Sequence, residues 1–217
     1  MTDRLTDRAG ARRYGGRAAE ERVAERRGRL LAAGLELMGT RGVAGTTVRG
    51  VAEESGLAAR YFYESYANIE ELQLAVFERI AGEAAARSVA AVAAAPSDVR
   101  ARTRAVLAEM VDLFLEDPRK GRIALLESIT SPVLGPRVLE ESRRFAGMLA
   151  ATASSGDPAG SPEGLPVELR LTAQFLIGGV AHTLGAALQG DIAVERDRLV
   201  DVLVDLFLTV NGAALRP

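Results

Sequence analysis

Residues 46–72, TTVRGVAEESGLAARYFYESYANIEEL, decide how this chain is read. One of the two threonines can cap a short helix, its hydroxyl accepting from a free backbone N–H. Val48, Val51 and Ala52 then fall at i, i+3 and i+4 and form that helix's inner face. Gly56 follows about two turns later, where a tight helix-to-helix turn needs a residue tolerant of positive φ. A second short helix is expected from about Ala58 to Tyr66. Asn68-Ile69-Glu70-Glu71 opens a third, with Asn68 as cap and Glu71 as the reciprocal acceptor. That third helix is expected from Ile69 to near Ala94, joining the first part of the chain to the rest without a flexible linker. Tyr61, Phe62 and Tyr63 are consecutive and cannot all face one side of a helix, so at least one should point outward.

Working outward toward the N-terminus, a helix from about Glu20 to Thr40 carries Leu30, Leu31, Leu35, Leu37 and Met38 at helical spacing. Arg41-Gly42 closes it, glycine being the usual residue past a helix end. Residues 1–18 have few apolar side chains and many arginines, which predicts a disordered basic arm. The net charge of −2 conceals an asymmetry. Residues 1–60 hold 12 Arg against 8 Asp or Glu, a surplus of +4, and the remainder holds 15 Lys or Arg against 21 acids, a deficit of −6. A basic first quarter on an acidic body suits a protein that offers one end to a polyanion. The short helix, glycine turn and second short helix have the geometry of a helix-turn-helix. One helix of such a unit braces against phosphates, and the other presents side chains to base edges in the major groove.

With these residues in place, the stretch from about Arg29 to Leu72 resembles the DNA-binding domain of TetR-family regulators. The resemblance rests on the apolar helix, Arg41-Gly42, Thr46-Thr47-Val48, Val51-Ala52, Ser55-Gly56-Leu57 and Phe62-Tyr63 before Tyr66. It implies that Thr47 and Arg49 lie on the bracing helix near phosphates. It implies that Ala59, Arg60 and Tyr61 form the base-facing start of the recognition helix, and that Tyr63 reaches a phosphate. Arg60 could bond bidentately to a guanine edge. Phe62 and Tyr66 match core positions. Three residues depart from the pattern. Ala58 replaces a serine or threonine cap, Ile69 stands where a phosphate-binding lysine is common, and Glu64 brings a negative charge near the DNA side. The implied function is a sequence-specific transcriptional regulator, a repressor released from a palindromic operator in double-stranded DNA by a small hydrophobic effector.

The rest of the chain punctuates itself into helices. One begins at Pro96-Ser97-Asp98, with Val106, Leu107, Met110, Leu113 and Phe114 inward. The next begins at Asp117-Pro118, an aspartate cap with proline at the first helical position. Further helices are expected at about Pro136 to Thr152, Pro166 to Gly190 and Glu195 to Gly212, with a mobile loop over Ala153 to Gly164. In the last helix Leu199, Val202, Leu203, Leu206, Phe207 and Val210 form one apolar stripe, and Val200, Val204 and Leu208 a second. A helix apolar on two sides must be covered on two sides. A homodimer interface using Gly178, Ala181, Gly185, Val200, Val204 and Leu208 would account for that pattern. Phe114, Glu127, Phe145, Gln174 and His182 are candidates for lining a ligand pocket between helices.

The expected architecture is therefore all-α. A disordered arm (1–18) precedes a three-helix helix-turn-helix domain (19–68) and a helical sensor and dimerisation bundle (69–217). There is no cysteine and one histidine, so neither a thiolate site nor a multi-histidine metal site is expected. No glycine-rich phosphate loop is present, and no cofactor or catalytic role is expected. Leu171 to Gly190 is uncharged and about long enough to span a bilayer, but its polar and small residues predict a helix buried in protein. The expected location is the cytoplasm.

Overall fold

The computed structural model describes residues 4–155 and 166–214, which are helical with no strand among the described residues. The helices are α1 (Arg4–Arg41), α2 (Val48–Ser55), α3 (Ala59–Ser65), α4 (Ile69–Ala94), α5 (Val99–Glu116), α6 (Pro118–Gly121), α7 (Ser128–Thr130), α8 (Gly135–Ser155), α9 (Val167–Gln189) and α10 (Arg196–Ala214). A π-helical stretch, Arg122–Glu127, joins α6 to α7. The expected arm is replaced by helix, since α1 begins at Arg4 rather than near Glu20. Alanine and arginine are good helix formers and no proline intervenes before residue 96, so the helix propagates through Gly10, Gly15 and Gly16. Of the expected mobile loop, residues 153–155 belong to α8 and 156–164 lie outside the described residues.

The signals at helix ends act as read. Thr47 caps α2 and accepts from Gly50 N at 3.1 Å. Asn68 caps α4 and accepts from Glu71 N at 2.9 Å, while the Glu71 carboxylate accepts from Ala67 N at 2.6 Å. Asp98 and Asp117 cap α5 and α6. Gly56 ends α2 at φ +65, the left-handed conformation the turn required. Helices α1 to α3 close on Leu30, Leu37, Met38, Val51, Phe62 and Tyr66, all buried. The N-terminal part of α4 completes this head with Leu72 and Val76. A Cβ at Gly34 would lie 3.0 Å from Val76 and 3.2 Å from Leu72, so α1 and α4 approach as closely as they do because residue 34 has no side chain.

Behind the head, α4, α5, α9 and α10 share the same apolar core, through Ile80, Leu107, Val111, Leu113, Leu184, Leu199 and Leu203. Arg100 and Arg104 on α5 pair with Asp205 and Asp201 on α10, the first pair at 2.9 Å. Both partners are spaced i, i+4, so this exposed ladder matches the rotation of α10 that its buried face sets. That rotation turns Val200 and Val204 into the chain's own core, both 0% exposed. They are therefore not available as dimer-interface residues. Gly185 is likewise buried, with Leu126 packed 3.1 Å from where its Cβ would stand.

Helix α9 differs from expectation in the other direction. By length and composition it could cross a membrane, and only 22% of its most apolar window is buried in the chain. Leu171 and Phe175 are 65% and 67% exposed, and Gly178 and His182 share their face and are exposed too. Its polar and small residues predict burial inside the protein. In the chain, one side packs through Leu169, Ala173, Leu176 and Leu184, and the opposite side is uncovered.

Candidate nucleic-acid interface

Helix α3 divides its side chains by direction. Phe62 and Tyr66 point into the head, with ring centroids 5.8 Å apart. Ala59, Arg60, Tyr63 and Glu64 are exposed, Tyr63 by 62%. Tyr61 lies half-buried at the edge of that face. One aromatic of the three thus enters the core, one points outward and one lies between. Thr47 and Arg49 on α2 are also exposed. An open groove of about 590 Å³ runs between the two helices, lined by Val48, Arg49, Ala52, Glu53, Gly56, Leu57, Ala59 and Tyr63. It brings Arg49 and Tyr63 to opposite walls, with Arg49 held by Glu53 at 2.8 Å. Arg60 and Tyr61 sit beyond it, where the Arg60 guanidinium donates to the Tyr61 hydroxyl at 3.0 Å.

Three arginines on α1 fasten this arrangement, and none was singled out from the sequence. Arg29 donates to Ser55 O at the end of α2 at 2.6 Å, and Arg27 donates to Ser65 O at the end of α3 at 2.9 Å. Both place a cation at the negative end of a helix, where free carbonyls need donors. The Arg27 guanidinium also lies 4.4 Å from the Tyr66 ring centroid, and burial raises the Tyr66 phenol above its ordinary pKa. Arg26 lies over the Tyr61 ring and 3.7 Å from the Glu64 carboxylate. In sequence these residues show only as a run of arginines, a signal of charge.

The three departures resolve differently. Ala58 leaves α3 without a side-chain cap. Ile69 packs half-buried against the core. Glu64 has Arg26 as its counter-ion.

The residues proposed for a ligand pocket do not converge. Phe114 is buried in the main core and Phe145 is half-buried at its margin. Gln174 is exposed and donates to Ser142 Oγ, and His182 is exposed. Glu127 turns away from the body altogether. Its carboxylate accepts from Val43 N at 3.3 Å and from Arg122, whose guanidinium donates to Gly39 O and Thr40 O at the end of α1. Gln73 holds Val43 O at 3.0 Å, and Arg119 joins Glu36 of α1 to Asp117. These groups form a polar joint between head and body. No cluster of three or more metal-ligating side chains occurs among the described residues.

Residues 30–76 match the sequence model of the family described as bacterial regulatory proteins, tetR family. No curated protein matches the chain. Among solved structures, the fatty acid degradation regulator FadR from Bacillus halodurans has a TM-score of 0.71 at 16% identity, covering 88% of this chain and 97% of that one. FadR from Bacillus subtilis, solved with stearoyl-CoA, has a TM-score of 0.68 at 19% identity, with 84% and 97% covered. A tetR-family transcriptional regulator from Streptomyces coelicolor has a TM-score of 0.69 at 18% identity, with 88% and 82% covered. At these identities the likeness to solved structures is one of fold. The match to the tetR family model thus covers residues 30–76, and over the rest of the chain the likeness to solved tetR-family regulators is one of fold.

Proposed function

We propose that this regulator is a homodimeric repressor that binds a palindromic operator and leaves it when a hydrophobic ligand enters the helical body. The observation that carries the DNA-reading half is the outward face of α3. Arg60 and Tyr63 are exposed on a helix whose far side is locked into the head by Phe62 and Tyr66. In this reading Ala59, Arg60 and Tyr61 meet base edges, while Thr47, Arg49 and Tyr63 meet phosphates.

The uncovered face of α9 supports the dimer. Leu171, Phe175, Gly178 and His182, with Ala181 beside them and Leu206 and Leu208 on α10, would meet their copies across a twofold axis. Two heads then lie on one side of a palindrome, about one helical turn or a multiple apart. The likeness in fold to a regulator solved with stearoyl-CoA supports a ligand with a long apolar tail. Such a ligand releases DNA only if it binds better to the arrangement of heads that fits the operator poorly.

Selection from random DNA, followed by anisotropy titration of the selected site, tests this reading. A palindromic site bound by two protomers is expected, with Arg60→Ala abolishing sequence preference while non-specific binding persists. Long-chain acyl-CoA is expected to release the complex and free CoA is not. If no site emerges from the selection, the reading is wrong. If a site emerges but no apolar ligand releases it, the ligand half is wrong.

A further inference from the structure

We infer that Arg26, on α1 and outside both reading helices, is a positioning residue for sequence recognition, keeping Glu64 away from Arg60. The inference rests on the reading that Arg60 faces base edges. Arg60 and Glu64 are four residues apart on α3, the spacing at which an arginine and a glutamate on one helix face pair. Both are exposed, and Arg49 and Glu53 on α2 pair at the same spacing and in the same order, so a direct ion pair is open to them. It does not form. Arg60 instead donates to the Tyr61 hydroxyl, and the Glu64 carboxylate is drawn to Arg26, 3.7 Å away.

Arg26 is placed to do two things at once. Its guanidinium carbon lies 4.8 Å from the Tyr61 ring centroid, within the range where a cation is attracted to an aromatic face. The Arg60 guanidinium carbon lies at the same distance from that ring. Tyr61 is thus shared by a guanidinium from α1 and one from α3, and the charge of Glu64 is met from the α1 side. Arg26 is half-buried, with a side-chain exposure of 26% against 54% for Glu64, so it is the better-fixed partner. Remove Arg26, and the nearest cation left for Glu64 on its own helix is Arg60. A guanidinium paired with a carboxylate has fewer donors free for a guanine edge.

The test compares wild type, Arg26→Ala, Arg26→Ala with Glu64→Gln, and Glu64→Gln alone, at the selected operator and at random DNA over a salt series. Arg26→Ala is expected to cut the ratio of operator to random binding about tenfold, with the salt slope at the operator unchanged. Adding Glu64→Gln is expected to restore most of that ratio, because a neutral amide no longer competes for Arg60. Thermal melts check that all four proteins are folded. The inference is overturned if Arg26→Ala keeps full discrimination, or if Glu64→Gln gives no rescue. It is equally overturned if Arg26→Ala lowers the salt slope by about one unit at operator and random DNA alike, which is the mark of a phosphate contact. These failures leave the DNA-reading assignment standing, whereas a wild type that selects no site would remove that assignment itself.

Discussion

The head and the body of this molecule spend their side chains in different ways. In the head, nearly every residue with a distinctive sequence signal has one specific partner. Thr47 holds Gly50 N, Asn68 holds Glu71 N, Phe62 meets Tyr66, and arginines of α1 close the ends of α2 and α3. In the body, helices are packed mainly through aliphatic side chains, with Phe77 and Phe114 among them, and one face of α9 has no cover within the chain. A head must present one short helix to a groove of fixed shape, so few sequences serve. On the proposed function the body encloses an apolar space and pairs with itself, and many aliphatic arrangements do that.

The largest effect should separate the two regions by packing. Phe62→Ala removes a ring that is 0% exposed and should cost about 3–5 kcal/mol, as large-to-small changes at buried aromatics do. Phe145→Ala, at a half-buried site on α8, should cost less than about 2 kcal/mol. Urea midpoints of the two variants measure the difference. Equal costs would mean that Phe145 belongs to a core as tight as that of the head, and the contrast would fail.

Next in size is a comparison inside the body. Phe175→Glu puts a charge on the uncovered face of α9, whereas Val204→Glu puts one into the core. Sedimentation should find Phe175→Glu folded and at least 100-fold weaker as a dimer, a change worth about 2.7 kcal/mol. Val204→Glu should not fold, because a buried carboxylate there has no partner. A dimer untouched by Phe175→Glu would move the interface elsewhere.

The legibility of the sequence follows the same division. The capping residues, the Gly56 turn and the need for at least one of Tyr61, Phe62 and Tyr63 to point outward could be read because each follows from a local rule about backbone donors or helical direction. The rotation of α10 could not. Its buried face takes members of both apolar stripes, Leu199 and Leu203 with Val200 and Val204, and leaves Leu206 exposed, a division set by packing against α5 and α9 that the sequence does not mark. Glu127 failed for a related reason. Its stretch, RIALLE, has no marking for a π-helix, and the extra residue in each turn changes which way a carboxylate points. Arg26, Arg27 and Arg29 were visible as charge, but their partners are carbonyls and rings that only the folded head assembles.

Glu127 is where the two regions meet, and it offers a sharper test of how independent they are. Glu127→Gln keeps the size of the side chain but weakens its bonds to Arg122 and to Val43 N. The expected loss is about 1.5 kcal/mol, in the lower range for a hydrogen bond to a charged group because the site is partly exposed. Amide exchange at Val43 should quicken more than exchange within α10. If the whole chain loosens uniformly, head and body form one cooperative unit and the joint is not a separable element.

The smallest effect concerns the one place where the head departs from its own economy. Ala58 begins α3 in an extended conformation, φ −66 and ψ 142, as a helix cap does, yet it contributes no side-chain acceptor. The Tyr61 amide is satisfied by the Ala58 carbonyl at 2.9 Å. Ala58→Ser should therefore stabilise the head by only about 0.5–1 kcal/mol, the lower part of the range for a cap, by giving a free amide of the first turn an acceptor. The melting temperature should rise by a few degrees at most. The informative quantity is the discrimination between operator and random DNA, which should stay as it is. Side chains of Arg60 and Tyr61 are oriented by α1 and by each other, not by the helix start, so a firmer cap adds stability without re-aiming them. A change in discrimination would mean instead that the uncapped turn adjusts as it enters the groove, and that the head is less rigid at its reading edge than at its core.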